Sequence, residues 1–163
     1  MSANPHIRPF ADEDLVPIVK LSLLAWQPVF QSFKRVLGPT IYDLIYPDWR
    51  QRQRDVVKRV CRDQEGAHTL VAEVKGKVVG FVAYELDGED ETGTVLLIAV
   101  HPDHQNRGIG TELNVRALEE MKAAGMKLAQ VGTGGDEGHA PARRSYEKAG
   151  YTGLPLARYY KAL

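Results

Sequence analysis

A chain of 163 residues, 44% apolar and 26% charged, is long enough to build one sizeable hydrophobic core and too ordinary in composition for a disordered or fibrous protein. The 21 Lys and Arg residues are balanced by 21 Asp and Glu, so no basic excess exists to hold a phosphate backbone, and a nucleic-acid partner is not expected. The lone Cys61 rules out an intramolecular disulfide and fits a reducing compartment; the expectation is one cytoplasmic domain over residues 1–163.

In chain order, Met1-Ser2-Ala3-Asn4-Pro5-His6 lacks the apolar run of a signal peptide. No later stretch approaches the roughly 20 apolar residues that span a bilayer, so no membrane partner is expected. Asp12, Glu13 and Asp14 mark a helix start, and Leu15, Ile18, Val19 and Leu23 follow at helical spacing. A second helix is predicted from Phe30 to Leu37, stopped by Gly38-Pro39. A third, amphipathic and charged, carries Tyr42, Ile45, Trp49, Val56, Val57 and Val60, with Pro47 breaking or kinking it.

The period then changes. Thr69–Val74 and Val78–Leu86 read as strands joined by a tight turn at Lys75-Gly76-Lys77. Asp87–Glu91 is a polar loop, and Val95–Val100 is a third strand, apolar enough to be covered on both faces. A helix over 108–124, a strand over 128–133, a short helix over 141–149 and a final strand near 157–163 complete the chain. The pattern predicts a mixed α/β fold with helices packed on a central sheet.

The most informative segment is Val100-His101-Pro102-Asp103-His104-Gln105-Asn106-Arg107-Gly108-Ile109-Gly110-Thr111. A strand ends, a turn with paired glycines follows, and a helix opens whose free N–H groups and dipole favour an anion. Gly108 and Gly110 are expected to let an anion approach the backbone, and Arg107 to add a charged contact, as in a pyrophosphate cradle. Gly-x-Gly after a strand also opens dinucleotide-binding units, but the third glycine of that fingerprint is replaced here by Leu113.

Gln105-x-x-Gly108-x-Gly110 resembles the acyl-coenzyme A signature of the GNAT superfamily. Downstream, Ala142-Arg143-Arg144-Ser145-Tyr146-Glu147-Lys148-Ala149-Gly150-Tyr151 resembles that family's Ala-x-x-x-Tyr-x-Lys-x-Gly-aromatic segment. The order of elements agrees over nearly the whole chain. The resemblance implies a mixed, mainly antiparallel central sheet flanked by helices, with two parallel strands splayed apart to take acetyl-coenzyme A. It implies that the backbone of Ile98, Ala99 and Val100 pairs with the pantetheine arm. The amides of Gln105, Asn106, Arg107, Gly108, Ile109, Gly110 and Thr111 would bind the pyrophosphate. An N–H near Val100 would hold the oxyanion, and Tyr146 would protonate the departing thiolate. Ala142 and Ala149 share a helical face with Tyr146 and leave room beside its phenol.

Two features depart from the family pattern. His139 stands where many relatives carry an asparagine that contacts the cofactor; it can hydrogen-bond in that place, serve as a base, or be a plain polar loop residue. The strand Val95–Val100 lacks the glutamate that often acts as base. Glu85, Asp136, Glu137 and His101 are substitutes, though solvated surface charge is the plainer reading of each. Trp26, Phe30, Phe33, Tyr46, Tyr84, Tyr159 and Tyr160 are candidate walls for an acceptor, or simply core. No His, Cys and carboxylate cluster has metal-ligand spacing, so no metal is expected, and Cys61 lies too far from the motifs to be a nucleophile.

The sequence therefore predicts transfer of an acetyl group from acetyl-coenzyme A to a small-molecule or peptide amine in a ternary complex. Its rivals are a non-catalytic acyl-coenzyme A sensor of the same fold and a nucleotide-binding module. Homodimers are common in the family, but no feature of this sequence demonstrates one.

Overall fold

Alternating apolar residues build the sheet. In the computed structural model, which describes residues 4–63 and 65–163, five strands lie in the order β1-β2-β3-β4-β5. They are β1 (His6–Pro9), β2 (Ala67–Val74), β3 (Lys77–Asp87), β4 (Thr92–Val100) and β5 (Leu128–Val131). The first four pair antiparallel, and β4 with β5 parallel. Lys75 and Gly76, both at positive φ (51° and 74°), make the two-residue turn whose twist suits a β-hairpin.

Because side chains alternate across a strand, the sheet has two apolar faces. On one, Leu70, Ala72, Val82, Tyr84 and Val95 meet Ile109, Leu113, Ala117 and Met121 of helix α3 (Ile109–Ala123). On the other, Val71, Phe81 and Ala99 meet Ile18 and Leu21 of α1 (Leu15–Ile45) and Val57 and Cys61 of α2 (Trp49–Arg62). Helix α4 (Ala140–Lys148) packs beside α3. The expected mixed α/β fold with helices on both faces of the sheet is what forms. Among the described residues no helix is long and apolar enough to cross a membrane.

The structure differs from the sequence expectation in three places. Strand β1 went unread, since His6–Pro9 is short and carries little apolar pattern. The first two predicted helices are one: the chain stays helical through Pro28 and breaks only at Gly38 (φ 74°). Pro28 removes one hydrogen bond, and buried Ile18, Leu21, Ser22 and Ser32 on either side hold the helix to the body. The chain does leave the helix around Pro47, and α2 restarts at Trp49 with the Asp48 side chain accepting from Gln51 N–H. The final strand near 157–163 is absent. Residues 151–163 form no strand, and Leu154, Leu156 and Tyr159 are exposed. The segment joins no ladder of the five-stranded sheet, and without a pairing edge a locally strand-like stretch stays irregular. Met1–Ala3, read above for a leader, lie outside the described residues.

Candidate active site

The ladder itself opens the site. β4 pairs with β3 along its length, to Gly80 opposite Val100, but with β5 only from Thr92 to Val95. Beyond Val95 and Val131 the two parallel strands part, leaving one edge of β4 without a strand partner up to Val100. A register shift between Ala83 and Tyr84, opposite the stretch Val95–Leu97, adds the local bend expected of a bulge. His101 N–H donates to Val79 O at 2.7 Å, so by alternation the N–H groups of Val100 and Ile98 point to the other edge, into the opening.

The turn after β4 is fixed by its own side chains. The His101 ring Nδ1 accepts from Asp103 N–H (3.2 Å), and Gln105 donates its side-chain amide to Val100 O (2.9 Å). Asn106 and Gly108 both take positive φ (59° and 85°), folding the amides ahead of α3 into a concave loop. The two glycines serve different purposes. A side chain at Gly108 would meet nothing closer than Glu112 at 4.0 Å, so glycine is there for its left-handed backbone. A Cβ at Gly110 would stand 3.2 Å from Ser145 Oγ, so its bareness lets α4 approach α3. Buried Asn114 secures that approach, donating to Gly110 O (3.0 Å) and Ser145 Oγ (3.1 Å).

A cavity of about 310 Å³ follows from this geometry. It is lined by Ile98, Ala99, Val100, Gln105, Asn106, Gly108, Ile109, Gly110, Thr111, His139, Ala142 and Tyr146. Of the predicted site residues only Arg107, exposed at the rim of the turn, is not part of its wall. Trp26 and Val29 of α1 close the opposite side. Tyr146 is only 8% exposed, and burial, with Tyr151 nearby, pushes its phenol up to about 12. It therefore keeps its proton across the neutral range. Arg144 and Lys148, which sequence reasoning did not single out, add two cations on the α4 wall.

The second feature missed in the sequence lies before α4. Asp136, read as surface charge, has a side chain only 12% exposed. It accepts from Ser32 Oγ (2.6 Å), from Gly138 N–H (3.2 Å) and faces His139 Nδ1 at 2.6 Å. Burial alone would raise its carboxyl, but the bonds from Ser32 and His139 outweigh it and hold the group below the ordinary value. Glu85 and Glu137 are exposed, and neither they nor His101 border the cavity.

The aromatic candidates divide. Phe30, Phe33 and Tyr46 form one cluster with Trp49, and Phe33 leans on the His139 ring at 5.2 Å. Trp26 borders the cavity itself. Tyr84 does not: it is core, its hydroxyl donating to Glu120. Tyr159 is 91% exposed and walls nothing, while Tyr160 is partly covered and lies within electrostatic reach of Tyr46.

The end of the β4–β5 ladder, the amide loop at the start of α3 and a buried phenol thus meet in one cavity. The family model for the acetyltransferase (GNAT) family matches residues 27–151, and the chain belongs to that family. It is 33% identical over 94 residues to acetyltransferase SG1711 of Sodalis glossinidius (strain morsitans), a match covering 58% of this chain and 63% of that protein. Two solved structures share the fold. One is PaiA N-acetyltransferase from Thermoplasma acidophilum in complex with coenzyme A (TM-score 0.69, 17% identity, 91% of this chain and 89% of that one). The other is AAC(6')-Iy in complex with a bisubstrate analogue, coenzyme A-S-monomethyl-acetylneamine (TM-score 0.67, 14% identity, 99% of both chains).

Proposed function

We propose that this chain is an N-acetyltransferase that moves the acetyl group of acetyl-coenzyme A to a primary amine, both substrates being bound together. The observation that carries this reading is the free edge of β4, which runs past the end of β5 and leads directly into the amide loop of α3, beside Tyr146. Ile98, Ala99 and Val100 offer the backbone groups that would hold the pantetheine amides. The amides from Gln105 to Thr111 would hold the pyrophosphate, with Arg107 at the rim and the α4 cations Arg144 and Lys148 adding charge. Ala142 keeps the wall beside Tyr146 thin.

Acetyl-coenzyme A, when bound, supplies the thioester carbonyl that the amine attacks and the thiol that leaves. Val100 N–H, aimed into the opening, is the donor placed to stabilise negative charge on the carbonyl oxygen. Tyr146 Oη, protonated across the neutral range, gives its proton to sulfur. Cys61 takes no part: it is buried on the α2 side of the sheet, and burial pushes its thiol up to about 11. A small-molecule or peptide amine is the acceptor class, consistent with the acetylneamine conjugate held by one structural neighbour. A reduced, cytoplasmic protein suits a chain whose one thiol is free.

The test is release of free thiol from acetyl-coenzyme A against a panel of amines, with matched alcohols as controls. Turnover with amines alone supports the reading. Binding of acetyl-coenzyme A with no turnover on any amine identifies a sensor instead.

A further inference from the structure

Asp136 and His139 form a pair that the reading above leaves without a task. We infer that His139 Nε2 is the general base that takes a proton from the acceptor amine, with Asp136 and Ser32 as positioning residues; this rests on the acetyl-transfer reading. His139 lines the same cavity as Val100 and Tyr146, and its side chain is 16% exposed. Its Nδ1 is 2.6 Å from Asp136 Oδ1, while the other carboxylate oxygen accepts from Ser32 Oγ and Gly138 N–H. An ionised carboxylate can only accept, so Nδ1 is the donor of this bond, and the neutral ring then carries its lone pair on Nε2. Nε2 has no hydrogen-bond partner among the described residues and is not sealed from solvent.

The backbone is shaped around this pair. A Cβ at Gly134 would overlap Asp136 Oδ1 and stand 2.6 Å from His139 Nδ1; one at Gly138 would stand 2.6 Å from Ser32 Cβ. Arg143 pins the loop by donating to Gly134 O (2.6 Å) and Asp136 O (2.7 Å). Phe33 of α1 lies against the His139 ring, tilted by 42°. The charged and titratable groups around His139 are Asp136 and Glu137 on its own segment and Arg143 and Arg144 on α4. Tyr46 caps the C-terminal end of α1, with Arg158 and Tyr160 of the C-terminal segment near it.

The step balances. The acceptor arrives as an ammonium, and Nε2 takes one proton and passes it to solvent, freeing the nitrogen pair. The C–N bond forms as the C–S bond breaks with its electron pair on sulfur. Sulfur takes the Tyr146 proton, and the second proton shed by nitrogen restores the phenol, so the products are amide, thiol and one released proton.

His139→Gln and Asp136→Asn, each checked for an unchanged unfolding midpoint, test this by three readouts. The expected result is a loss of kcat/KM of about 100-fold or more at neutral pH, with acetyl-coenzyme A affinity within twofold of wild type. In His139→Gln the ascending limb of the pH profile should move up to the acceptor amine's own ionisation. Nitrogen NMR of the ligand-free wild type should show His139 protonated on Nδ1, a signature altered in Asp136→Asn. Turnover within threefold of wild type at every pH, a parallel loss of acetyl-coenzyme A affinity, or a neutral ring protonated on Nε2 would each overturn the proposal. Wild-type protein that fails to bind acetyl-coenzyme A would instead sink the acetyl-transfer reading beneath it, a distinct result.

Discussion

Tyr146 and Cys61 are both buried, and burial raises both, yet only Tyr146 borders the cavity. A phenol that holds its proton to about 12 can donate to a stronger base formed beside it and shows no ionisation of its own near neutrality. Tyr146→Phe should therefore lower kcat by about 10- to 100-fold while leaving acetyl-coenzyme A affinity within twofold, as titration calorimetry would show. Unchanged kcat would remove Tyr146 from the mechanism. The same shift has a stability consequence. Unfolded tyrosine ionises near pH 10 while the native phenol keeps its proton, so Tyr146 weakens folding as pH rises from about 10 toward 12. Cys61 should stay unmodified by an aromatic disulfide at pH 8 and react only on unfolding, which also keeps it silent in a thiol-release assay. Rapid labelling of the native protein would contradict its burial.

Among the elements, the start of α1 depends on one carboxylate. Asp14, its side chain 3% exposed, takes Arg8 at 2.7 and 2.9 Å and Ala11 N–H at 2.8 Å; Arg8 also reaches Glu73, so the helix start is tied to β1 and β2. Burial alone would raise the Asp14 carboxyl, but Arg8 and Ala11 together bring it below its ordinary value. Its stabilisation is thus complete above the ordinary carboxylate range and is lost as pH falls through the lowered native value. Asp14→Asn should cost about 2 kcal/mol at neutral pH and lower the unfolding midpoint by about 4–8 °C. The deficit should shrink in acid, where the native carboxyl protonates. A midpoint within 1 °C of wild type at pH 7 would show the ion pair to be idle.

The same scale shows what a sequence can reveal. The hairpin at Lys75-Gly76, strand β4 and the start of α3 were legible because turn chemistry, alternation and the glycine signature act over a few residues. The Ser32–Asp136 bond joins positions 104 apart, and nothing local distinguishes Asp136 from a solvated loop charge. Its role depends on α1 running unbroken past Pro28, where the sequence pattern predicts two separate helices. The predicted final strand fails for a related reason: a strand exists only where a neighbour pairs with it, and residues 151–163 join no ladder. The two signature glycines also answer different local demands. Gly108 answers a left-handed backbone, and Gly110 answers Ser145.

For the whole molecule, the two sheet faces bury separate clusters, and the cavity opens where β4 passes beyond β5, between α1 on one side and the starts of α3 and α4 on the other. A ligand laid along β4 would bridge helices from both layers and stabilise the fold through each. The direct measurement is thermal unfolding with and without acetyl-coenzyme A, with NAD and ATP as parallel controls. At about 100 times the dissociation constant, binding adds about 2.7 kcal/mol, which for a domain of this size is a rise of about 5–10 °C. A rise with acetyl-coenzyme A alone is the predicted result. No rise at saturating acetyl-coenzyme A, or an equal rise with NAD or ATP, would contradict the assignment of the β4 edge and the α3 loop to acyl-coenzyme A.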